Sequence, residues 1–217
     1  MHEVLIAFSG VFAGLFPIVN PLGMAPIFLR LTHGSSPGVR SRLAWRIAAA
    51  SFFLMSVSLF IGAYILAFFG LTVSAVQIGG GLVVMAAGWR LLQQGSNASE
   101  REDQATSQNE ELMMDRAFFP LTMPLTVGPG SISVAITLGT RGSNSDYSGW
   151  IAVGALLAVI AVSITIYLSY RFAAWILHYL GKTGTDVFMR LSAFILLCLG
   201  TQILISGVTG LPIFAVK

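Results

Sequence analysis

Cysteine is nearly absent from this 217-residue chain: Cys198 stands alone, which excludes an intrachain disulfide and a cysteine metal cluster. Charge is scarce as well, with Asp, Glu, Lys and Arg making up 10% of the residues against 55% hydrophobic ones, at a mean hydropathy of +0.81. No charged residue or histidine falls in the middle third of any long apolar run, where a proton-coupled carrier ordinarily keeps a carboxylate or a histidine. His2, His33 and His178 are scattered, so no metal site is expected. There are no paired carboxylates, no nucleophile with a histidine base and no phosphate-binding Gly-Lys motif, so neither an enzyme nor an ATP-driven pump is expected. The first run lacks a basic n-region and, at 26 uncharged residues, exceeds a signal-peptide core, so it reads as a retained span.

What is present is apolar length. Uncharged runs cover residues 4–29, 47–89, 117–140, 147–170 and 191–216. A crossing takes about 20 apolar residues, so the second run must cross twice, turning at Gly70 to Ser74. The expectation is an all-α polytopic membrane protein with six crossings near 4–31, 47–69, 73–92, 117–140, 149–171 and 187–209. Residues 95–115 are the long polar stretch, a linker between two three-span halves, giving units at 1–94, 95–116 and 117–217. Each half has an odd number of spans, so the two are inverted relative to one another.

Basic residues set the expected orientation. Arg30, Arg40, Arg42, Arg46, Arg90, Arg101, Arg116, Arg171, Lys182 and Arg190 flank one set of loops; Arg141 and Lys217 flank the other. Ten against two predicts both termini outside. The pI near 9.4 follows from this bias and does not imply a nucleic-acid partner. Trp45, Trp89, Trp150 and Trp175 fall at span ends, as an aromatic belt requires. Residues 172–181 read as an interfacial extension of the fifth span.

Six of the eight prolines belong to one pattern written twice. Pro17, Pro21 and Pro26 recur 103 positions later as Pro120, Pro124 and Pro129. Proline inside a span removes a backbone donor and clashes with the preceding turn, so both runs should hold broken helices. Paired breaks in two halves point to a transport site near the bilayer midplane. Asn20 before Pro21 and Gly128 before Pro129 are placed to begin new helices. Gly23, Gly128 and Gly130 allow close approach. Half-helix starts suit a carboxylate, and freed carbonyls with Asn20, Thr122, Thr126 and Ser131 suit an ammonium group or a small cation. The candidate site is therefore Asn20, Pro21, Gly23, Pro26, Thr122, Pro124, Thr126, Gly128, Pro129, Gly130 and Ser131. The bland reading is that the prolines only kink helices and each hydroxyl bonds its own preceding turn.

The first motif follows an apolar segment and the second follows Asp115-Arg116, so plain crossings put the two motifs at unequal depths. Re-entrant hairpins would equalise them. Gln77 and Gln202 read as glue between helices, and Gly79-Gly80-Gly81 with Gly88 as close helix contacts. The third and sixth spans correspond through Gly88 to Leu92 and Gly200 to Leu204.

At Asn20-Pro21-Leu22-Gly23 with Pro26-Ile27-Phe28, and at Pro120 to Leu125 with Val127-Gly128-Pro129-Gly130, the chain resembles the MarC family of bacterial and archaeal inner-membrane proteins. Ile78 to Leu82, and Arg190-Leu191 through Gly200, add to the likeness. The resemblance implies a six-span fold of the LysE transporter superfamily, some of whose members are described as carriers of glycine and other neutral amino acids. Val127 replaces the alanine typical of the second motif. The expected function is secondary transport of small neutral amino acids such as glycine, alanine or serine, without a resident cofactor. Na⁺ is the coupling ion left open, membrane lipids are the surrounding partners, and a homo-oligomer is compatible. The alternatives are translocation of a lipid-linked headgroup, envelope maintenance, or a non-transporting membrane partner.

Overall fold

A computed structural model describes residues 2–32, 34–94, 114, 117–143 and 149–211. The linker expected at 95–116 therefore lies outside the described residues except for Met114. All regular structure among the described residues is helical. In chain order the helices are α1 (His2–Val19), α2 (Pro21–Leu31), α3 (Pro37–Phe60), α4 (Gly62–Phe68), α5 (Val73–Gln94), α6 (Ala117–Thr126), α7 (Pro129–Ser143), α8 (Gly149–Arg171) and α9 (Ala173–Thr209).

Among the described residues, five stretches are long and apolar enough to cross a membrane: His2–Leu29, Pro37–Phe60, Val73–Gln93, Gly149–Arg171 and Thr183–Thr209. The crossing expected at 117–140 is divided into α6, of 10 residues, and α7, of 15, each too short alone. Its prolines account for the division. Phe119 and Met123, each preceding a proline, hold extended backbone (φ −124° and −116°), the region such residues prefer.

The second span begins at Pro37, ten residues before the expected start. Ser36 accepts a hydrogen bond from the Val39 N–H at 3.4 Å and Pro37 takes the first helical position, a strong start signal. Arg40, Arg42 and Arg46 thus lie within α3 rather than in a loop. The turn at Gly70 is where the long run was expected to reverse. Helix α9 is interrupted at Gly181, where φ is +65°, setting residues 173–180 apart from the long stretch that follows.

Helices α5 and α9 meet along a seam of glycines and run antiparallel. A side chain at Gly81 would fall 2.6 Å from the Leu204 nitrogen, and one at Gly200 would fall 2.5 Å from the Met85 nitrogen. Gly88 likewise abuts Leu197, and Gly207 abuts Ile78. These contacts interchange at a constant offset: 200 − 81, 204 − 85, 207 − 88 and 197 − 78 each equal 119. The pairing of Gly88 with Gly200 read from the sequence is therefore seven residues out of register, and Gly88 corresponds to Gly207. Helix α7 packs on the α3–α4 junction, the Leu59 backbone lying against Gly139 and Gly62 against Ile136. Helix α8 follows the direction of α1–α2, with Gly154 against Val4 and Tyr170 against Phe28. One core of Leu15, Val19, Ala25, Phe28, Leu121 and Val127, among others, joins both proline motifs to α3 and α8.

Candidate functional site

The first break is made by Asn20. Its φ of +47° is left-handed, a conformation that asparagine tolerates better than most residues. Its N–H closes α1 on the Phe16 carbonyl at 2.9 Å, and its carbonyl accepts the Met24 N–H at 3.0 Å to open α2. Its side-chain oxygen accepts the Gly23 N–H at 3.2 Å, capping the new helix. A side chain at Gly23 would collide with Asn20, so this cap requires glycine there. Pro21, Gly23 and Pro26 are buried. Pro26 offers no N–H to the Leu22 carbonyl, which therefore lacks its ordinary helical donor.

The second break is built differently. Helix α6 has wide turns: the Val127 N–H reaches the Thr122 carbonyl five residues back at 2.8 Å. Thr122 Oγ1 donates to the Ala117 carbonyl at 2.6 Å and Thr126 Oγ1 to the Leu121 carbonyl at 2.7 Å, also five residues back. Helix α7 then starts at Pro129, the Gly128 carbonyl accepting the Ile132 N–H at 3.1 Å and the Ser131 hydroxyl at 2.9 Å. Gly130 is buried, and a side chain there would strike Val84 of α5.

By hydrogen bonding, Asn20 thus corresponds to Gly128 and Pro21 to Pro129, an offset of 108 rather than the 103 of the proline pattern. This shift changes the depth problem. Helix α2 runs 11 residues from its break to the turn before α3, and 11 residues, 117 to 127, lead into the second break.

Tyr170 of α8 ties the motifs together. Its ring stacks on Phe28 of α2, with centroids 4.6 Å apart and planes 6° from parallel. Its hydroxyl lies 2.8 Å from Thr126 Oγ1. Thr126 already spends its one proton on the Leu121 carbonyl, so Tyr170 donates. Tyr170 and Phe28 are both buried, and neither is among the candidate site residues read from the sequence. Tyr170 ends an apolar run, where a tyrosine reads as a belt residue.

The two motifs are joined through Phe28, Tyr170 and Thr126, but the hydroxyls of the expected site residues are not free. Thr122, Thr126 and Ser131 are all buried and all bonded to their own chain. Asn20 and Gly128 are half-buried and Pro129 exposed. Pro124 begins no new helix: it lies within α6, directly after the extended Met123. The first-turn N–H groups without a bond named above are those of Leu22 in α2 and of Gly130 and Ser131 in α7, and the Leu22 carbonyl lacks its ordinary helical donor. Together they offer donors to an anion and an acceptor to a cation. Among the described residues, no three His, Cys, Asp or Glu side chains cluster as metal ligands would. A cavity of about 550 Å³ lies beside the first break, against Leu22, Ser169 and Trp175, and none of the expected site residues lines it.

The sequence pattern of the family described as "MarC family integral membrane protein" matches residues 5–212. An inner membrane protein MarC of Citrobacter koseri is 34% identical over 200 residues, covering 89% of this chain and 90% of the relative. One from Salmonella typhimurium is 32% identical over 200 residues, with the same coverage of both chains. The membrane protein YhcE of Escherichia coli K12 is 27% identical over 200 residues, covering 92% of this chain and 91% of the relative. No solved structure matches the chain. A match over nearly the whole length, joined to five apolar spans and the doubled proline breaks, makes this chain a member of the MarC family of integral membrane proteins.

Proposed function

We propose that the protein is a secondary transporter of small neutral amino acids, with its site between the two proline breaks. The observation that carries this reading is Tyr170, which draws Phe28 of one motif and Thr126 of the other into a single contact. A zwitterion needs donors and an acceptor a few ångströms apart. The first turn of α7 at Gly130 and Ser131 would take the carboxylate. The Leu22 carbonyl and Asn20 Oδ1 would take the ammonium group. A small side chain fits because Gly23 and Gly130 are already crowded by Asn20 and Val84. The proposed site thus comprises Asn20, Pro21, Gly23 and Pro26 with Thr122, Pro124, Thr126, Gly128, Pro129, Gly130 and Ser131.

The proposed architecture is six crossings in two inverted halves, in the inner membrane, with both termini outside. Three observations support it. The α5–α9 seam interchanges at a constant offset. The contacts of α1 with α8, α2 with α8 and α2 with α9 are mirrored by those of α6 with α3, α7 with α3 and α7 with α5. The relatives from Citrobacter and Salmonella are named inner-membrane proteins. Na⁺ is the proposed coupling ion, since carbonyls and hydroxyls rather than carboxylates surround the breaks.

Purified protein in liposomes, loaded with and without a Na⁺ gradient, tests the reading. Saturable uptake of labelled glycine, alanine or serine is expected, lost in Thr126→Val and in Asn20→Ala. No flux of any of the three under any ion gradient would overturn it.

A further inference from the structure

The cavity beside the first break has a chemistry of its own. It is walled by Leu22 of α2, by Thr165, Leu168 and Ser169 of α8, and by Phe172 and Trp175 at the bend into α9. Thr165 turns its hydroxyl back to the Ala161 and Val162 carbonyls at 3.0 and 2.7 Å, so it offers no donor to a polar guest. Leu22, Leu168, Phe172 and Trp175 are all exposed, so the cavity opens on the outside of the bundle. In a membrane protein that outside is lipid. The cavity also sits where α8 ends at Arg171 and a new direction begins at Ala173. Trp175 stacks on Tyr179 there, centroids 6.0 Å apart, a pairing suited to the headgroup boundary. Arg171 does not itself line the cavity, but it is exposed at the same end of α8, between the lining residues Ser169 and Phe172 in sequence, where a lipid phosphate beside the groove would meet its charge.

We infer that this groove is a binding site for one anionic glycerophospholipid, an acyl chain lying along Leu22, Thr165, Leu168 and Phe172 with the phosphate near Arg171. The groove shares Leu22 with the proposed amino acid path but does not depend on that path. It is nonetheless coupled to that path by position. Leu22 is the second residue of α2 after the Asn20 break, and Ser169 immediately precedes Tyr170. An occupied groove therefore props the outer wall of the break while Tyr170 holds its inner side.

The test uses the full chain carrying Trp45→Phe, Trp89→Phe and Trp150→Phe, so that Trp175 alone fluoresces. In phosphatidylcholine vesicles, a rising fraction of chain-brominated phosphatidylglycerol should quench Trp175 along a saturating curve. The expected preference over brominated phosphatidylcholine is about fivefold, the factor one cationic side chain contributes at an anionic surface. Arg171→Gln should reduce the preference to about one, and Thr165→Phe, which fills the groove, should abolish saturation. A matching variant that retains only Trp150, at the other end of α8, should show no preference. Equal quenching of Trp175 and Trp150 by both lipids overturns the site, and an undiminished preference in Arg171→Gln overturns the headgroup assignment. Should the triple variant not fold, native mass spectrometry of the unaltered protein decides. A single retained phosphatidylglycerol, lost in Arg171→Gln, is expected, and no retained lipid contradicts the inference.

Discussion

Removing either end of the Tyr170–Thr126 hydrogen bond should have unequal consequences, because the two hydroxyls are not equivalent. Thr126 lies 2.7 Å from the Leu121 carbonyl and 2.8 Å from the Tyr170 oxygen, and a carbonyl can only accept. Tyr170→Phe therefore deletes one hydrogen bond and leaves no donor stranded, at a cost of about 0.5–1.5 kcal/mol. Thr126→Val keeps the side-chain shape but strands the buried Tyr170 O–H, at about 1–3 kcal/mol. The double variant has neither donor nor acceptor and should cost less than the two single changes added. Side-chain hydrogen bonds between membrane helices couple by about 0.6 kcal/mol on average and at most about 1.7. Full burial of both groups places this pair in the upper half of that range. The measurement is a double-mutant cycle on purified protein in bicelles, with SDS unfolding followed by circular dichroism. Additivity within about 0.3–0.5 kcal/mol, or Thr126→Val costing less than Tyr170→Phe, would refute the assigned donor direction.

Three further outcomes follow from the geometry. Asn20→Gly should lose only the cap to Gly23, whereas Asn20→Ala must also hold a left-handed φ; unfolding should rank asparagine most stable, then glycine, with alanine about 1–2 kcal/mol below glycine. Gly81→Ala and Gly200→Ala should each destabilise by about 1–3 kcal/mol and by nearly equal amounts, since each added Cβ meets main-chain atoms of the facing helix; a marked inequality would argue against the two-fold seam. Ser51 is fully buried with an unpartnered hydroxyl, so Ser51→Ala should leave the melting temperature unchanged or raise it.

The proline pattern made both breaks legible in the sequence but not their positions. Proline states which carbonyl loses its donor; it does not state which residue absorbs the bend. In the first copy Asn20 takes up a left-handed conformation directly before Pro21. In the second copy the equivalent Met123 is merely extended, and the new helix waits for Pro129. The five-residue difference between the two breaks is contained in no spacing rule. The start of α3 was legible in Ser36-Pro37, and the arginines after it masked the signal because charge was read as loop. The glycine seam was half legible: Gly81 and Gly88 share their seven-residue spacing with Gly200 and Gly207, so periodicity fixes the face but allows two registers. Tyr170 and Phe28 could not be distinguished from lipid-facing aromatics, since in a span apolar on all sides no polar face marks the interior.

The claim that the doubled breaks form one amino acid site is tested most directly by a structure determined with glycine or alanine bound. Ligand density between residues 20–26 and 122–131, its carboxylate at the start of α7 and its amine toward Asn20, is the predicted result. Density elsewhere, or a helix running unbroken through Asn20 or Gly128, would contradict it.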